Sequence, residues 1–490
     1  MAGWPKAPII YEINTWVWLE ELSAAHKRRV TLATVPKEEW DAIAAFGFDA
    51  VWLMGVWERS PMGIAISQKN KALLEDFKRA LPDFQSKDNV GSPYCVHRYS
   101  VDEHLGGPEG LKAARAELAK RKLRLILDFV PNHLAPDSPY AKEHSEFFIQ
   151  GSEEDLKRDP ASFIKVGDKV LACGRDPYFP AWPDVIQINA FEPGLRNAAV
   201  AAISRIAEQA DGVRCDMAML MMNGVFERTW GGRAGQRPPA EYWPQVISAV
   251  KRSHPEFLFM AEAYWDLEWE LMQHGFDFCY DKKLYDRMEH DGAESVRGHL
   301  CAGMDYQARL VRFLENHDEP RAAATFPLEK ERAAALAITT LPGMAFFHEG
   351  QFEGRKVRLP VFLGRRPVEP ANKEVFSFYK NLISIVRESQ MRNGEWRLCE
   401  THGWAGNTNC NNLIGWGWNK SRKRHLVVIN FSDVQSQARI RVPWEDIHGR
   451  KLRLIDLFSG TAYDRSGDEM QGEGLYIDLP AWGFHLFRIS

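Results

Sequence analysis

The segment DGVRCDM, residues 211–217, follows a helical pattern and has the length of a short β-strand that carries two charges. Because alternate side chains of a strand share a face, Arg214 and Asp216 are predicted to point the same way, with Val213 and Cys215 facing the other. A charge pair on an otherwise apolar strand is costly to bury without a purpose. Taken alone, this pair is most simply a structural ion pair.

Two further apolar segments change that interpretation, because each of them ends in a carboxylate. FLFMAEAYW, residues 257–265, runs into Glu262, and VRFLENHDEPR, residues 311–321, contains His317 and Asp318 where its apolar part ends. Successive strands that end in acidic groups are typical of a (β/α)8 barrel, in which catalytic groups lie at the C-terminal ends of several strands. The sequence therefore predicts that these acids meet at one end of a barrel.

A fourth segment, DFVPNH at residues 128–133, completes a set of four ordered motifs. Together the four resemble the signature regions of the α-amylase superfamily, glycoside hydrolase family 13. The resemblance implies an α/β fold: a (β/α)8 TIM barrel with a short inserted loop region after strand 3 and a C-terminal all-β sandwich domain. It also implies a retaining α-glycoside hydrolase, acting on α-glucosidic bonds of malto-oligosaccharides or related α-glucosides through a covalent glycosyl-enzyme intermediate.

The resemblance assigns the chemistry to three carboxylates. Asp216 is expected to be the nucleophile, Glu262 the general acid/base, and Asp318 the group that binds sugar hydroxyls and stabilises the transition state. Retaining glycosidases need two carboxyl groups about 5–5.5 Å apart, and neighbouring strands about 4.8 Å apart supply such a spacing. Arg214 is expected to favour the ionised form of Asp216, whereas an apolar environment and a nearby anion favour protonated Glu262.

The resemblance also gives a set of substrate contacts. They are Tyr94, His133, Arg214, His317 and Arg321. Tyr94 matches a tyrosine that stacks on the sugar at the cleavage site, and the two histidines match residues that hydrogen-bond the hydroxyls of that sugar. A surface ion pair explains Arg321 equally well.

Asn132 matches a calcium ligand of many family members, and carboxylates such as Asp137 or Asp184 could join it. Hard cations take six to eight oxygen ligands, and the short insertion makes a full set difficult to identify. We therefore expect a structural hydrogen bond at Asn132 and no required cofactor, with a structural calcium ion as the alternative. Asp128 is expected to orient groups at the barrel mouth without touching the substrate.

The chain departs from the family pattern after the expected nucleophile. Members usually have a Lys-His pair at the third and fourth following positions, where this chain has Met219 and Leu220. The apolar run at residues 217–222 fits either a less polar wall on the aglycone side or buried packing, and it argues against ordinary endo-cleavage of starch. The alternative function is a transglucosylase or isomerase active on trehalose or sucrose, and a remote one is a non-catalytic amylase-like scaffold.

The alternation of strand and helix patterns predicts the organisation of the chain. The barrel is assigned to residues 1–133 and 190–392, a small irregular region that resembles domain B of the family to 134–189, and the β-sandwich to 393–490. The predicted barrel strands are residues 9–13, 50–53, 123–129, 211–217, 257–261, 276–280, 310–314 and 344–347.

Composition limits the remaining choices. The chain has 490 residues with a net charge of −4, which argues against a nucleic-acid partner because there is no basic excess to neutralise phosphates. Seven cysteines, without a C-x-x-C pair, suggest neither a disulfide framework nor a zinc site. No leader pattern and no membrane-spanning segment are recognised, so we expect a cytoplasmic protein with an α-glucan or α-glucoside substrate and no membrane partner. The sequence predicts no oligomeric state.

Overall fold

The computed structural model describes residues 3–421 and 423–490. Within them, eight parallel strands close into a barrel in which each strand pairs with the next and the last pairs with the first. They are β1 (Ile9–Asn14), β2 (Ala50–Met54), β3 (Arg124–Phe129), β4 (Gly212–Cys215), β5 (Leu258–Ala261), β6 (Phe278–Tyr280), β7 (Leu310–Arg312) and β8 (Met344–His348). The predicted (β/α)8 barrel is therefore confirmed.

Helices alternate with these strands along the chain. The longer ones are Thr15–His26, Lys37–Ala45, Gly107–Lys120, Pro193–Gln209, Tyr242–Ser253, Lys282–His290, Ala293–Leu300, Leu328–Thr340 and Lys373–Ser389. The helix before β4 shows why they form: Leu195, Ala199 and Ile203 recur at helical spacing and are buried. The Glu192 side chain accepts a hydrogen bond from the Gly194 amide and caps its first turn, next to a proline that suits this position.

The long connection between β2 and β3 has secondary structure of its own. Two strands, Trp57–Arg59 and Val96–Val101, pair antiparallel, and two helices, Pro61–Ser67 and Lys71–Ala80, lie between them in the chain. Tyr94 lies two residues before the second strand. Its position at the barrel mouth is therefore set by a paired strand and not by a free loop.

The insertion after β3 is ordered, so the expectation of an irregular region at 134–189 is wrong. Four antiparallel strands form a sheet in the order His133–Leu134, Trp182–Gln187, Lys169–Gly174 and Phe163–Val166. A two-residue turn joins the last two in space, and Gly167 adopts a φ of +62° there, a conformation that glycine accepts readily. The hairpin sequence, FIKVGDKVLACG at residues 163–174, has a Gly-Asp turn between two apolar runs, a hairpin signal that the sequence analysis did not use.

The C-terminal part consists of two packed sheets, which confirms the predicted all-β sandwich. Six strands form one sheet in the order Glu395–Leu398, Leu413–Lys420, Lys423–Asn430, Phe484–Ile489, Lys451–Asp456 and Ala462–Ser466; three form the other, Glu400–His402, Ser436–Arg441 and Leu475–Leu479. Successive side chains of the strand Lys423–Asn430 face opposite sides of its sheet. Leu426 and Val428 lie between the two sheets, whereas Val427 and Ile429 join the core that is continuous with the barrel.

The sequence pattern in this part predicts strands at residues 395–399, 413–418, 425–431, 438–442, 475–479 and 484–489, and it misses three strands and a short helix. They are Glu400–His402, Lys451–Asp456, Ala462–Ser466 and the helix Gly467–Gln471. The strand Ala462–Ser466 has no fully buried residue, and five helical residues are too few to show a period. Hydrophobic patterning therefore gave no signal for these two elements. The strand Lys451–Asp456, in contrast, alternates between exposed and buried residues, and this signal was overlooked.

Two further observations concern the described residues as a whole. All seven cysteines are free, and five of them are buried, as expected for small apolar side chains. No helix in residues 3–421 and 423–490 has the length and apolar character needed to cross a bilayer.

Candidate active site

One arginine joins two carboxylates at the ends of neighbouring strands. β4 and β5 pair in parallel with Cys215 opposite Ala261, so the next residues, Asp216 and Glu262, emerge side by side. Arg214 Nη1 donates to Asp216 Oδ1 at 2.8 Å, and its Nη2 lies 2.8 Å from Glu262 Oε2. The predicted Arg214–Asp216 pair thus exists, and it includes a second acid from the adjacent strand.

The Arg214 side chain has no exposed surface. Its Nη1 also lies 3.6 Å from Asp128 Oδ1, and the rings of Trp52, Tyr94 and Tyr280 surround the guanidinium with centroids at 5.3, 5.2 and 5.9 Å. A side chain enclosed in this way offers no atom to a sugar in the cleft. The expectation that Arg214 contacts substrate is therefore corrected, because it binds the carboxylates from behind.

Glu262 is held on both of its oxygens. Oε2 accepts a hydrogen bond from the Met217 amide at 2.6 Å, and Oε1 accepts one from the Tyr264 hydroxyl at 2.8 Å. Burial raises the pKa of Glu262 to about 7, with Arg214 opposing this shift and the negative charge of Asp216 adding to it. The pKa of this acid therefore lies well above that of an ordinary glutamate, in the direction that the sequence argument expected.

Asp216 differs from the prediction in its electrostatics. Burial raises its pKa above the ordinary value, although the contact with Arg214 works in the opposite direction. The sequence argument considered only the neighbouring cation, because the enclosure of the strand end is a tertiary property. The backbone beyond Asp216 turns sharply, with Met217 at a φ of +41°, and this turn aims the Met217 amide at Glu262.

His317 links the third carboxylate, Asp318, to Glu12 of strand β1. Its Nδ1 lies 2.5 Å from Glu12 Oε1 on β1, and its Nε2 lies 2.9 Å from Asp318 Oδ2 and 2.7 Å from the Tyr94 hydroxyl. The Asp318 side chain is 48% exposed, whereas that of His317 is 2% exposed, so Asp318 is the member that faces the cleft. Tyr94 also contacts Arg214, so the two clusters form one site.

In this second cluster, each charged group stabilises the ionised form of its neighbour. Burial works against a charged imidazole, but Asp318 and Glu12 raise the pKa of His317 well above its usual range. Desolvation likewise works against ionised Asp318, but His317 lowers the pKa of this carboxyl to about 2. The cluster therefore presents a carboxylate and an imidazolium at neutral pH.

Glu12 is the residue that the sequence reasoning missed. It lies in the apolar strand IIYEIN of β1 and is fully buried. The same argument that singled out Asp216, a charge on an otherwise apolar strand, would have found it.

His133 and Asn132 lie where β3 meets the inserted sheet. His133 packs against Trp182 with ring centroids 5.3 Å apart, and burial lowers its pKa to about 4, so the imidazole is neutral. Asn132 Oδ1 accepts a hydrogen bond from Gln187 Nε2 at 2.9 Å, and its Nδ2 lies 3.3 Å from Gln187 Oε1. Asn132 therefore forms the structural pair that the sequence favoured.

The predicted calcium ligands do not form a common site. Asp137 accepts hydrogen bonds from Ser60 Oγ at 2.5 Å and from the Met62 amide at 3.0 Å, and the Asn132 amide is occupied by Gln187. Asp184 is buried, and burial raises its pKa to about 6. The Asn132 and Asp137 side chains are thus each engaged by other protein groups, and the expectation of no required calcium ion stays a prediction.

Asp128 and Arg321 have supporting positions. Asp128 Oδ2 accepts hydrogen bonds from Trp52 Nε1 and the Gly55 amide, both at 3.2 Å, and burial raises its pKa to about 6. Arg321 is 3% exposed, and its Nη1 donates to Glu315 Oε1 at 2.5 Å and to the Glu349 carbonyl at 2.9 Å. The expected surface pair at Arg321 is wrong, because the ion pair is buried, and a role in sugar binding has no support from these contacts.

The residues in place of the Lys-His pair are buried. Met219 is 0% and Leu220 is 2% exposed, and both lie in a short 3₁₀ turn, Ala218–Met221. Trp243 Nε1 donates to the Ala218 carbonyl at 2.7 Å and fixes this turn. Of the two interpretations of the apolar run, the structure supports buried packing.

The central role of Arg214 can be tested by Arg214→Met. Among residues 3–421 and 423–490, Arg214 is the only cation in an ion pair with Asp216 or Glu262, so its loss leaves buried carboxylates unpaired, and we expect a cost of about 3–5 kcal/mol in the free energy of unfolding. The native pKa values of the two acids rise further above their unfolded values of about 4, so the loss should grow as pH rises from about 5 to 8. Urea unfolding at both pH values measures it.

The matched control is Arg397→Met, because Arg397 is 60% exposed and pairs with Glu395 on the surface. We expect this control to change the free energy of unfolding by less than about 1 kcal/mol at either pH. Equal losses for the two variants, or a loss at Arg214 that does not depend on pH, would contradict the proposed charge balance.

Known proteins resemble this chain in sequence. Residues 37–357 match the family described as "Alpha amylase, catalytic domain". The "Alpha-amylase MalA" of Haloarcula japonica is 22% identical over 374 residues, which are 73% of this chain and 45% of that protein. The "Alpha-1,4-glucan:maltose-1-phosphate maltosyltransferase" of Picrophilus torridus is 22% identical over 408 residues, 78% of this chain and 58% of that protein. The chain thus spans about half the length of the curated relatives it matches.

Solved structures show the same fold. The maltogenic α-amylase AmyB from Thermotoga neapolitana superposes with a TM-score of 0.70 at 18% identity, covering 99% of this chain and 98% of that one. An α-amylase from Geobacillus thermoleovorans, solved with acarbose, gives a TM-score of 0.68 at 16% identity and covers 99% and 98% of the two chains. Because the family match at residues 37–357 extends over more than half of the sequence, this protein belongs to the α-amylase family.

Proposed function

We propose that this protein is a retaining α-glycoside hydrolase acting on α-glucosidic bonds of malto-oligosaccharides or related α-glucosides. The observation that carries the proposal is the single guanidinium of Arg214, which contacts Asp216 and Glu262 at once. Two acids held on one guanidinium favour the separation of about 5–5.5 Å used by retaining enzymes over the 6.5–9.5 Å of inverting ones. Family membership and the amylases among its relatives support the substrate class.

In the proposed reaction Asp216 attacks the anomeric carbon and Glu262 protonates the departing oxygen. A covalent glycosyl-enzyme intermediate forms on Asp216, and Glu262, now ionised, removes a proton from the water that hydrolyses it. The pKa of Glu262 at about 7 suits a group that must give and then take a proton. The hydrogen bonds from Met217 and Tyr264 stabilise its ionised form between the two steps.

The second cluster would bind the sugar and stabilise charge. Asp318, ionised and exposed to the cleft, accepts hydrogen bonds from sugar hydroxyls and offsets the positive charge that develops in the transition state. His317 is oriented by Glu12 and Tyr94, and Tyr94 and His133 complete the proposed contacts. In this proposal Arg214 and Arg321 do not contact the sugar; Arg214 holds Asp216 and Glu262, and Arg321 binds Glu315.

The stereochemistry of the first product tests the mechanism. A retaining enzyme acting on a malto-oligosaccharide releases the α-anomer first, which proton NMR distinguishes from the β-anomer before mutarotation. First release of the β-anomer would show that an inverting mechanism operates.

The roles of Asp216 and Glu262 are distinguished by comparing variants on two kinds of substrate. Glu262→Gln should reduce kcat/KM for maltotriose by about 10²–10⁴-fold but affect glycosyl fluorides far less, because fluoride leaves without a proton. Asp216→Asn should abolish turnover of both, because it removes the nucleophile. Steady-state kinetics on maltotriose and on α-glucosyl and α-maltosyl fluoride measure this.

The matched control is Asp211→Asn, at the opposite end of the same strand, where Asp211 binds Arg115 and the Leu125 amide. It should retain turnover of both kinds of substrate. If Glu262→Gln lost activity equally on maltotriose and the fluorides, the assignment of Glu262 as the proton donor would be wrong.

The pH dependence follows from the same pKa. Because the donor must be protonated, kcat/KM should fall as pH rises through about 7. Tyr264→Phe removes a hydrogen bond that stabilises ionised Glu262, so the alkaline limb should move to higher pH. Trp404→Phe, at an exposed position in the C-terminal part, should leave the profile unchanged. An alkaline limb that does not move in Tyr264→Phe would contradict this role.

A transferase is the second candidate, because relatives of this chain include α-1,4-glucan:maltose-1-phosphate maltosyltransferases. The same carboxylates serve both reactions, and the outcome depends on whether water or a sugar accepts the glycosyl group. Analysis of products from maltose, sucrose or trehalose alone distinguishes them, since new disaccharides or longer chains indicate transfer. The non-catalytic alternative is not favoured, because all three carboxylates are present in one cleft.

We propose that no calcium ion is needed. The side chain of Asn132 is paired with Gln187, and Asp137 is engaged by Ser60. The melting temperature should therefore change by less than about 2 °C when a chelator is added in excess, because no ion that binds only the folded state is withdrawn. A large drop in the chelator sample, reversed by added calcium, would contradict this proposal.

We also propose a cytoplasmic location. A relative from Bacillus subtilis, 23% identical over 316 residues, is named an intracellular maltogenic amylase. Free cysteines that lie mostly buried are compatible with a reducing compartment. Fractionation of the native host checks this location.

A further inference from the structure

Two arginines are buried between the wall of the barrel and the elements that surround it, and we call them the arginine pair. They are Arg312 of β7 and Arg392, which lies in the short 3₁₀ turn Met391–Asn393 before the C-terminal part. Arg312 is 0% and Arg392 is 7% exposed. The turn contacts the strand Leu413–Lys420 of the sandwich, so Arg392 lies where the barrel meets the C-terminal part.

The arginine pair lies on the other side of the barrel wall from the catalytic groups. Successive side chains of a strand point to opposite sides. Phe313, the residue after Arg312, packs against Tyr280, and the Tyr280 ring faces Arg214 inside the barrel. Arg312 therefore points outward, where its Nη2 donates to Gln307 Oε1.

A close backbone contact brings the two arginines to one place. Arg392 Nη2 donates to the Gly343 carbonyl, whereas Arg312 binds Gln307. A Cβ atom on Gly343 would lie only 2.9 Å from the Gln307 carbonyl oxygen, and Gly343 adopts a φ of +91°, which glycine accepts readily. Each arginine therefore binds one of two segments that touch.

Both guanidinium groups have donors that no protein group accepts. Within residues 3–421 and 423–490, Nε and Nη1 of Arg312 and Nε and Nη1 of Arg392 are buried without a hydrogen-bond partner. Buried donors in proteins are nearly always satisfied. Four such atoms on two neighbouring side chains indicate an acceptor that is not a protein group.

The charges of the arginine pair are not balanced by nearby acids. Asp281 Oδ2 lies 3.7 Å from Arg312 Nε, whereas no acid in the described part of the chain forms an ion pair with Arg392. Asp49 acts on Arg392 through its charge, but both of its oxygens are held by Arg387 Nη1, at 3.0 and 2.9 Å. One buried positive charge is therefore in excess.

The electrostatics of Arg392 agree with this excess. Burial lowers its pKa to about 9; the charge of Asp49 opposes this shift, and the like charge of Arg312 adds to it. A guanidinium with this pKa is still charged at neutral pH, and an unpaired buried charge is costly. Water can accept hydrogen bonds from it but carries no charge, whereas an anion can do both.

We propose that the arginine pair binds a small inorganic anion where the barrel meets the C-terminal part. The anion accepts hydrogen bonds from Arg392 and Arg312 and balances the excess positive charge. Because the two side chains are brought together only by folding, such an anion binds the folded state and stabilises it. This site is independent of the proposed activity.

The experiment measures the melting temperature of the wild type at constant ionic strength. Sodium gluconate, whose anion is too large for an enclosed site, is replaced stepwise by chloride, nitrate or phosphate. Chloride is the probe for a halide, and nitrate and phosphate are the probes for an oxyanion. We expect at least one of them to raise the melting temperature by about 2 °C or more and then to saturate, as a ligand of the folded state does.

The test variant is Arg392→Met, which removes the unpaired cation and should lose this rise. The matched control is Arg196→Met, because Arg196 is 2% exposed but donates to the Ala190 and Ala240 carbonyls, both at 2.8 Å, and to Asn223 Oδ1 at 3.0 Å. This control should melt at a lower temperature and keep the rise. Arg397→Met, at an exposed position, should keep both the melting temperature and the rise.

Two outcomes of the melting experiment would overturn the proposal. One is a wild type that responds to none of the three anions. The other is an equal rise in the wild type and in Arg392→Met, because salts that act on the whole surface produce the same effect in both. If Arg392→Met does not fold, a crystal structure of the wild type with the effective anion decides: density for the anion at the arginine pair supports the site, and its absence overturns it.

Discussion

The site depends on one buried cation that faces three carboxylates. Arg214 has no exposed surface and contacts Asp216, Glu262 and Asp128 at 2.8, 2.8 and 3.6 Å. Burying charges is costly unless they are paired, and here one positive charge cannot compensate three negative ones. Burial is the main cause that raises the pKa of Glu262 to about 7, and the negative charge of Asp216 adds to it while Arg214 opposes it. The proposed division between nucleophile and proton donor rests on this enclosure of paired and unpaired charges.

The barrel supplies this imbalance because parallel strands end at the same edge. The register of β4 and β5 places Asp216 beside Glu262, and the closure of the barrel brings β1 near β7, so that Glu12 reaches His317. Tyr94, delivered by the paired strands of the β2–β3 connection, touches both groups.

Sequence reasoning succeeded where a property is local. Apolar strands ending in Asp216, Glu262 and Asp318 predicted a barrel with acids at one mouth, and the structure places these side chains in linked clusters. It failed where a property depends on residues that are distant in the sequence. The pKa of Asp216 is raised by enclosure, which outweighs the adjacent arginine, and Arg321 lies in a buried ion pair that no neighbouring residue indicates. The exposed strand Ala462–Ser466 carries no hydrophobic pattern that could reveal it.

The sequence by itself determined the barrel, the C-terminal sandwich and the acids at the strand ends, because strand periodicity and strand-end acids are encoded in neighbouring positions. The tertiary structure alone decided the electrostatic environment of those acids and the contact by which Glu12 orients His317. These depend on distances between segments far apart in the chain and on how completely water is excluded between them. These distances, and this exclusion of water, exist only once the strands have closed into the barrel.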